Sequence, residues 1–176
     1  MKHTLIAAVI GIAALSTACT TTGGNATPAP TTGSTPTSSE NASKLASIKP
    51  CDLLTQSEVT EFGLEYPGKD TKTGTADECQ WKISGNGGLS AGVRTKSGLK
   101  DLNVEGDKVS DVKVGKFDAK KTEGFEGAKN ICALWISVTE TSSVSVIANL
   151  DISSTDTVAA CARAEKAADK IVAKLQ

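Results

Sequence analysis

From Cys79 onward, apolar residues recur at every second position and then, near the C-terminus, at every third or fourth. In Cys79–Ser84, Cys79, Trp81 and Ile83 share one side of an extended chain. The segment Gly85-Asn86-Gly87-Gly88 has the composition of a hairpin turn, and Leu89, Ala91 and Val93 continue the same buried face on a second strand. Val109 to Phe117 reads as a strand interrupted by Gly115. The clearest pair follows: Cys132, Leu134, Ile136 and Val138 alternate in one run, and Val144, Val146, Ala148 and Leu150 in the next, with a turn at Thr139–Ser142. This predicts an antiparallel hairpin with one buried face. Past Thr155 and Asp156, either of which suits a helix cap, the period changes. Val158, Cys161, Ala164, Ala168, Ile171 and Leu175 form the inner stripe of a helix, while Arg163, Lys166, Lys170 and Lys174 face water. Upstream, Thr55-Gln56-Ser57-Glu58 is a capping box that starts a short helix ending near Phe62, with Gly63 as its stop. The predicted fold class is α+β: a single domain in which an antiparallel β-sheet packs against a short N-terminal helix and a C-terminal helix.

The first residues obey a different rule. After Lys2 and His3, Leu5 to Leu15 is an uncharged apolar run of eleven residues. As a helix it would span about 17 Å, well short of a hydrocarbon core. It is an export signal rather than a permanent anchor. Leu15-Ser16-Thr17-Ala18-Cys19 resembles a bacterial lipobox, with small residues before a cysteine that is acylated after cleavage. Leucine stands four places before the cysteine here, where three is preferred. An ordinary secretory signal cleaved after Ala18 would satisfy the same small-residue rule, and Cys19 is what separates the two readings. Residues 1–18 are thus read as a lipoprotein signal peptide.

Residues 19–47 are read as the lipidated cysteine and a linker. Thr20–Ser47 holds eight Thr, five Ser, three Pro and three Gly, with Leu45 its only large apolar residue. Such a composition buries too little surface to offset its ordering entropy, and as a coil it would reach roughly 30 Å. It reads as a spacer lifting the domain from a lipid surface. The Thr/Ser/Pro mixture resembles glycosylated stalks, and Asn25-Ala26-Thr27 and Asn41-Ala42-Ser43 match the N-glycosylation pattern, which carries little weight in a bacterial chain. Residues 48–176 then form the globular domain, about 129 residues, enough for one core.

The chain has five cysteines. Lipid on Cys19 leaves four, which suits two disulfides in an exported domain. Of the three possible pairings, Cys51–Cys79 and Cys132–Cys161 are favoured. The first ties the domain's opening to its first strand; the second joins the core face of a strand to the core face of the helix covering it. Each closes a loop worth about 3.5 kcal/mol of chain entropy.

Signal and lipobox, the Thr/Ser/Pro linker, Pro50-Cys51-Asp52-Leu53-Leu54-Thr55, Cys79-x-Trp81 and Cys161 in an Ala-rich last helix resemble actinobacterial lipoproteins that carry the "domain of unknown function 3558". The resemblance runs from Pro50 to Gln176. It implies a class of envelope protein and no particular chemistry.

Charge and composition narrow the function. With 19 basic and 20 acidic residues the chain is near neutral, and without Lys2 the balance is 18 to 20, which argues against nucleic acid as a partner. Aromatics are only 3%, so stacking platforms are scarce. The one histidine, His3, lies in the signal, which excludes histidine-based triads and histidine metal sites from the mature chain. No phosphate-binding loop or nucleophile elbow occurs, and no catalytic residue, cofactor or metal site is assigned. Asp101-Leu102-Asn103-Val104-Glu105-Gly106 imitates the start of a calcium loop, but Val112 stands where a bidentate glutamate is needed, so the segment reads as a polar connection. The remaining candidate is a surface. If Cys132, Leu134 and Ile136 face the core, Ile131 and Trp135 face outward, joined by Ile147 from the neighbouring strand. Either a partner binds there or other parts of the chain cover it. The expectation is a non-enzymatic binding or envelope-sensing module, lipid-anchored on the extracytoplasmic face of the cell membrane, with an accessory subunit of a membrane complex as the alternative.

Overall fold

The structure, a computed structural model, describes residues 44–85 and 87–175. The signal segment, Cys19, most of the linker and both N-glycosylation patterns lie outside the described residues.

Seven strands make one sheet: β1 (Lys69–Thr73), β2 (Ala76–Lys82), β3 (Gly88–Arg94), β4 (Gly106–Val114), β5 (Phe117–Phe125), β6 (Ile131–Thr139) and β7 (Ser142–Asn149). Their order across the sheet is β1-β2-β3-β7-β6-β5-β4, and every neighbouring pair is antiparallel. The short helix α1 (Gln56–Glu61) and the long helix α2 (Thr157–Ala173) complete the α+β domain. Both disulfides have the favoured pairing. Cys51–Cys79 ties the 3-10 turn Pro50–Asp52 to β2, and Cys132–Cys161 ties β6 to α2.

The capping signals act as read. Glu58 N donates to Thr55 Oγ1, and Thr55 N donates to Glu58 Oε2 at 2.7 Å. Asp156, not Thr155, caps α2, accepting from Ala159 N at 2.9 Å. Gly63 leaves α1 with φ 69°, donating to Thr60 O. Two readings need correcting, and one strand was not anticipated. Gly115 does not interrupt one strand; with φ 56° it forms the turn between β4 and β5, so Val109–Phe117 falls on two strands. β1 (KDTKT) had no apolar alternation to announce it, because it is an edge strand that buries almost nothing. Leu45, assigned to the linker, is buried in the core, so the ordered chain reaches back past Ile48 into that segment.

The core lies between the sheet and α2. Ala160, Cys161, Ala164, Ala167, Ala168, Ile171 and Val172 are buried along the helix, against Leu134, Ile136, Val144 and Val146 of the central hairpin. Alanines let the helix axis approach the sheet closely. Val158, expected on this stripe, is 80% exposed. Arg163 already reaches the sheet's end, donating to Asn149 O, so the first turn of α2 projects beyond it.

α1 is held to α2 by ions. Glu61 receives Lys166 and Lys170, whose hydrogen bonds hold its carboxyl at about 2. Lys174 Nζ donates to Glu58 Oε2 and to Leu53 O at 2.7 Å. Burial would raise the Glu58 carboxyl, but hydrogen bonds from Lys174 and Thr55 outweigh it and hold it below its ordinary 4.5.

Ala164→Leu should cost about 1–3 kcal/mol by overpacking the helix–sheet seam, whereas Val158→Ser should stay within about 0.5 kcal/mol; urea unfolding midpoints check both. A lowered carboxyl stabilises fully above the unfolded value near 4.5 and loses that contribution as pH falls through the lower folded value. Lys174→Met should therefore make stability fall less steeply over this acid range, measured by thermal melts between neutral pH and pH about 3.

Candidate functional site

The sheet has a second face, turned away from α2. Its positions follow from the strand registers: Glu78 and Gln80 on β2, Ser90, Gly92 and Arg94 on β3, Ser143, Ser145 and Ile147 on β7, Ala133 and Trp135 on β6. This face is not open throughout. Trp135 is only 6% exposed. Its Nε1 donates to Thr122 Oγ1 at 3.1 Å, the Phe125 ring meets it edge-on at 5.5 Å, and the Arg94 guanidinium lies 5.4 Å from its ring centre. Strict alternation from Ala119 would put Phe125 on the helix face. Gly124, with φ 65°, lies just before it, and Phe125 meets Trp135 on the other face.

Topology supplies further cover. β3 and β4 are parallel but separated by β7, β6 and β5. The connecting residues 95–105 must cross those strands to reach the edge. Ser143 Oγ donates to Ser97 O at 2.8 Å, and Leu99 and Lys100 border Ser137 and Lys120 around a cavity of about 440 Å³. The segment that imitates a calcium loop belongs to this crossover. Asp101 accepts from Gly98 N at 2.9 Å and Asn103 donates to Glu105 at 2.7 Å. Among the described residues, no group of three or more His, Cys, Asp or Glu side chains is placed to hold a metal.

The outward apolar patch of Ile131, Trp135 and Ile147 is therefore corrected. The three residues do share one face, but Trp135 is closed over and cannot be touched by a partner. Ile131 and Ile147 are half-buried, and Ile131 lines an apolar cleft of about 450 Å³ with Ala128, Leu150 and Ile152.

Beside the covered tryptophan sit residues that sequence reasoning missed. Arg94 and Glu78 are 8% and 6% exposed. Arg94 Nη1 donates to Ser145 Oγ at 3.0 Å. Burial pushes the guanidinium down from its ordinary value, and the Glu78 charge opposes that. Glu78 accepts from Gln80 Nε2 at 3.4 Å. An arginine ending a strand and a glutamate in the middle of one look like solvent-facing polar positions. The only hint was the small partners in their rows, Gly92 and Ser145 beside Glu78 and Ser143 beside Arg94, which mean nothing until register is known.

A family model described as "Protein of unknown function (DUF3558)" matches residues 14–174. The chain belongs to the DUF3558 family. No curated protein and no solved structure matches it. In this DUF3558 protein, no helix among the described residues is long and apolar enough to cross a membrane.

Trp135→Ala should cost about 3–5 kcal/mol, as for a core aromatic, rather than the few tenths of a surface position; urea denaturation monitored by far-UV circular dichroism checks this.

Proposed function

We propose that this DUF3558 protein is exported, acylated on Cys19 and held on the extracytoplasmic face of a cell membrane, where its domain acts as a non-enzymatic binding module. The observation that carries the reading is the sulfur count. Cys51, Cys79, Cys132 and Cys161 are consumed in two disulfides, a pattern of oxidising compartments, and Cys19 alone is left over. It sits directly behind Ala18, at the end of an apolar run too short to span a bilayer. Two or three acyl chains there would anchor the protein firmly, where one gives marginal binding. The actinobacterial lipoproteins that the sequence resembles share this layout. Binding rather than catalysis is favoured because the mature chain lacks histidine, while the outer face of the sheet holds buried polar groups that the core does not need.

A second reading, an accessory subunit of a membrane complex, draws on Ile152 and Val158. They are 93% and 80% exposed, Ile152 in the turn before α2 and Val158 in the first turn of the helix. A stoichiometric membrane protein that co-purifies with the wild type, and is lost with Ile152→Ser and Val158→Ser together, would favour it.

Cys19→Ala should move the protein from the membrane fraction to the soluble fraction and abolish the diacylglycerol mass increment on the mature N-terminal peptide. Retention of the variant in the membrane, or a wild-type peptide without lipid, would sink the anchor.

A further inference from the structure

The sheet has two edges, β1 with five residues and β4 with nine. The turn at Gly115 and Lys116 closes with Val114 opposite Phe117, so Val114 directs its N–H and C=O at β5. Every second residue back along β4 does the same. Asp107, Val109, Asp111 and Lys113 therefore turn their backbone groups away from the sheet. None of the turn or loop hydrogen bonds among the described residues takes these groups up. The result is a row of unpaired donors and acceptors about 30 Å long. Side chains alternate as well. Val112 and Val114 pack on the core, so the even positions of β4 face α2 and the odd positions face the other way.

Charged side chains on an edge usually deter pairing. On β4 they are ordered so that the strand complements its own reverse. When two β4 strands meet antiparallel about a two-fold axis at Ser110, Asp107 lies opposite Lys113 of the second copy, and Lys113 opposite its Asp107. Val109 then faces Asp111, Ser110 faces Ser110, and no like charges stand directly opposite. All four outward residues fall in hydrogen-bonded pairs. A shift of two residues is the smallest that keeps every side chain on its face. In one direction it sets Asp107 opposite Asp111, and in the other Asp111 opposite itself, which like charges disfavour. Within its own chain Asp107 has no ion pair among the described residues, while Lys113 meets Asp118 and Asp111 meets Lys120.

The helix side fits at the same register. Lys108 would lie opposite Val112 of the second copy. Val112 borders a cavity of about 280 Å³ whose walls include Val114, Leu134, Glu165 and Asp169. Glu165 has Lys121 at 3.1 Å, but Asp169 has no ion pair among the described residues. Lys108 of the second copy brings a methylene stem to the apolar wall and an ammonium to the acidic rim.

We propose that β4 is a self-association edge: two copies of this chain join antiparallel about Ser110 into one continuous sheet, with both α2 helices on the same face. The proposal goes beyond the binding-module reading and does not depend on the lipid.

The test is sedimentation equilibrium of the full mature chain in a density-matched detergent, which should show a dimer with Kd on the order of 10 µM. Asp107→Lys should weaken it about tenfold, because both cross-strand pairs become repulsive. Adding Lys113→Asp to that variant should restore the affinity to within about threefold. Both positions are exposed, so the fold is kept, which far-UV circular dichroism checks. Independently, oxidised Ser110→Cys should give a covalent dimer, since a non-hydrogen-bonded pair at about 4.5 Å is within disulfide reach. Thr71→Cys, at the centre of the other edge, should not. A chain that stays monomeric up to about 0.5 mM overturns the proposal and leaves the β4 charges as a guard against pairing. So does a dimer that Asp107→Lys leaves unchanged, or one that Thr71→Cys crosslinks and Ser110→Cys does not. The Cys19→Ala chain should dimerise equally in buffer without detergent, so failure of the anchor and failure of the interface are read separately.

Discussion

The close seating of α2 on the central strands is the contact on which the domain depends. A seven-stranded sheet with so few aromatics has little bulk to spend on its core. Alanines at 160, 164, 167 and 168 bring the helix backbone down onto β6 and β7, and Cys132–Cys161 joins the two layers covalently. Close approach makes small side chains sufficient, because dispersion and water exclusion depend on contact more than on residue size. The second disulfide does the same for the N-terminal turn, which would otherwise hold only a short helix and Leu45. Lysines on the outer side of α2 then reach Glu58 and Glu61, so one helix organises both the core and the docking of α1.

One helix covers one face, and the other face must be managed differently. The chain meets this with strand order. Sending the link from β3 to the far edge drapes residues 95–105 past Ser137, Ser143 and Lys120. Arg94 and Phe125 close over Trp135. What remains open is the end of β3 beside Gln80, Lys82, Ser90 and Asn149, where Gly87 and Gly88 leave room. The structural core and the candidate site thus sit on opposite faces of the same strands.

Much of this was legible in the residues themselves. The central hairpin, the capping box at Thr55 and a helix cap at Thr155 or Asp156 follow from local patterns, because alternation and capping are interactions between near neighbours, and the favoured disulfide pairing followed from which faces those elements bury. The misses have one origin. β1 is polar because it is an edge, Gly115 is a turn because Lys116 and Phe117 reverse direction, and Val158 is exposed because the helix outruns the sheet. Each depends on where distant segments end. The candidate site was less legible than the fold. Trp135 drew attention by its size, while Arg94 and Glu78 carried no pattern.

The amino-acid sequence by itself determined the alternation that makes the strands, the stripe that makes α2, the sulfur arithmetic and the family to which the chain belongs. Only the tertiary structure decided which outward positions meet water. Alternation tells a residue's side of its own strand, but burial of that side depends on strand order and on the path of a crossover linking strands far apart in the sheet. Those are long-range choices, made by the summed packing of the whole domain, and no local run of residues encodes them.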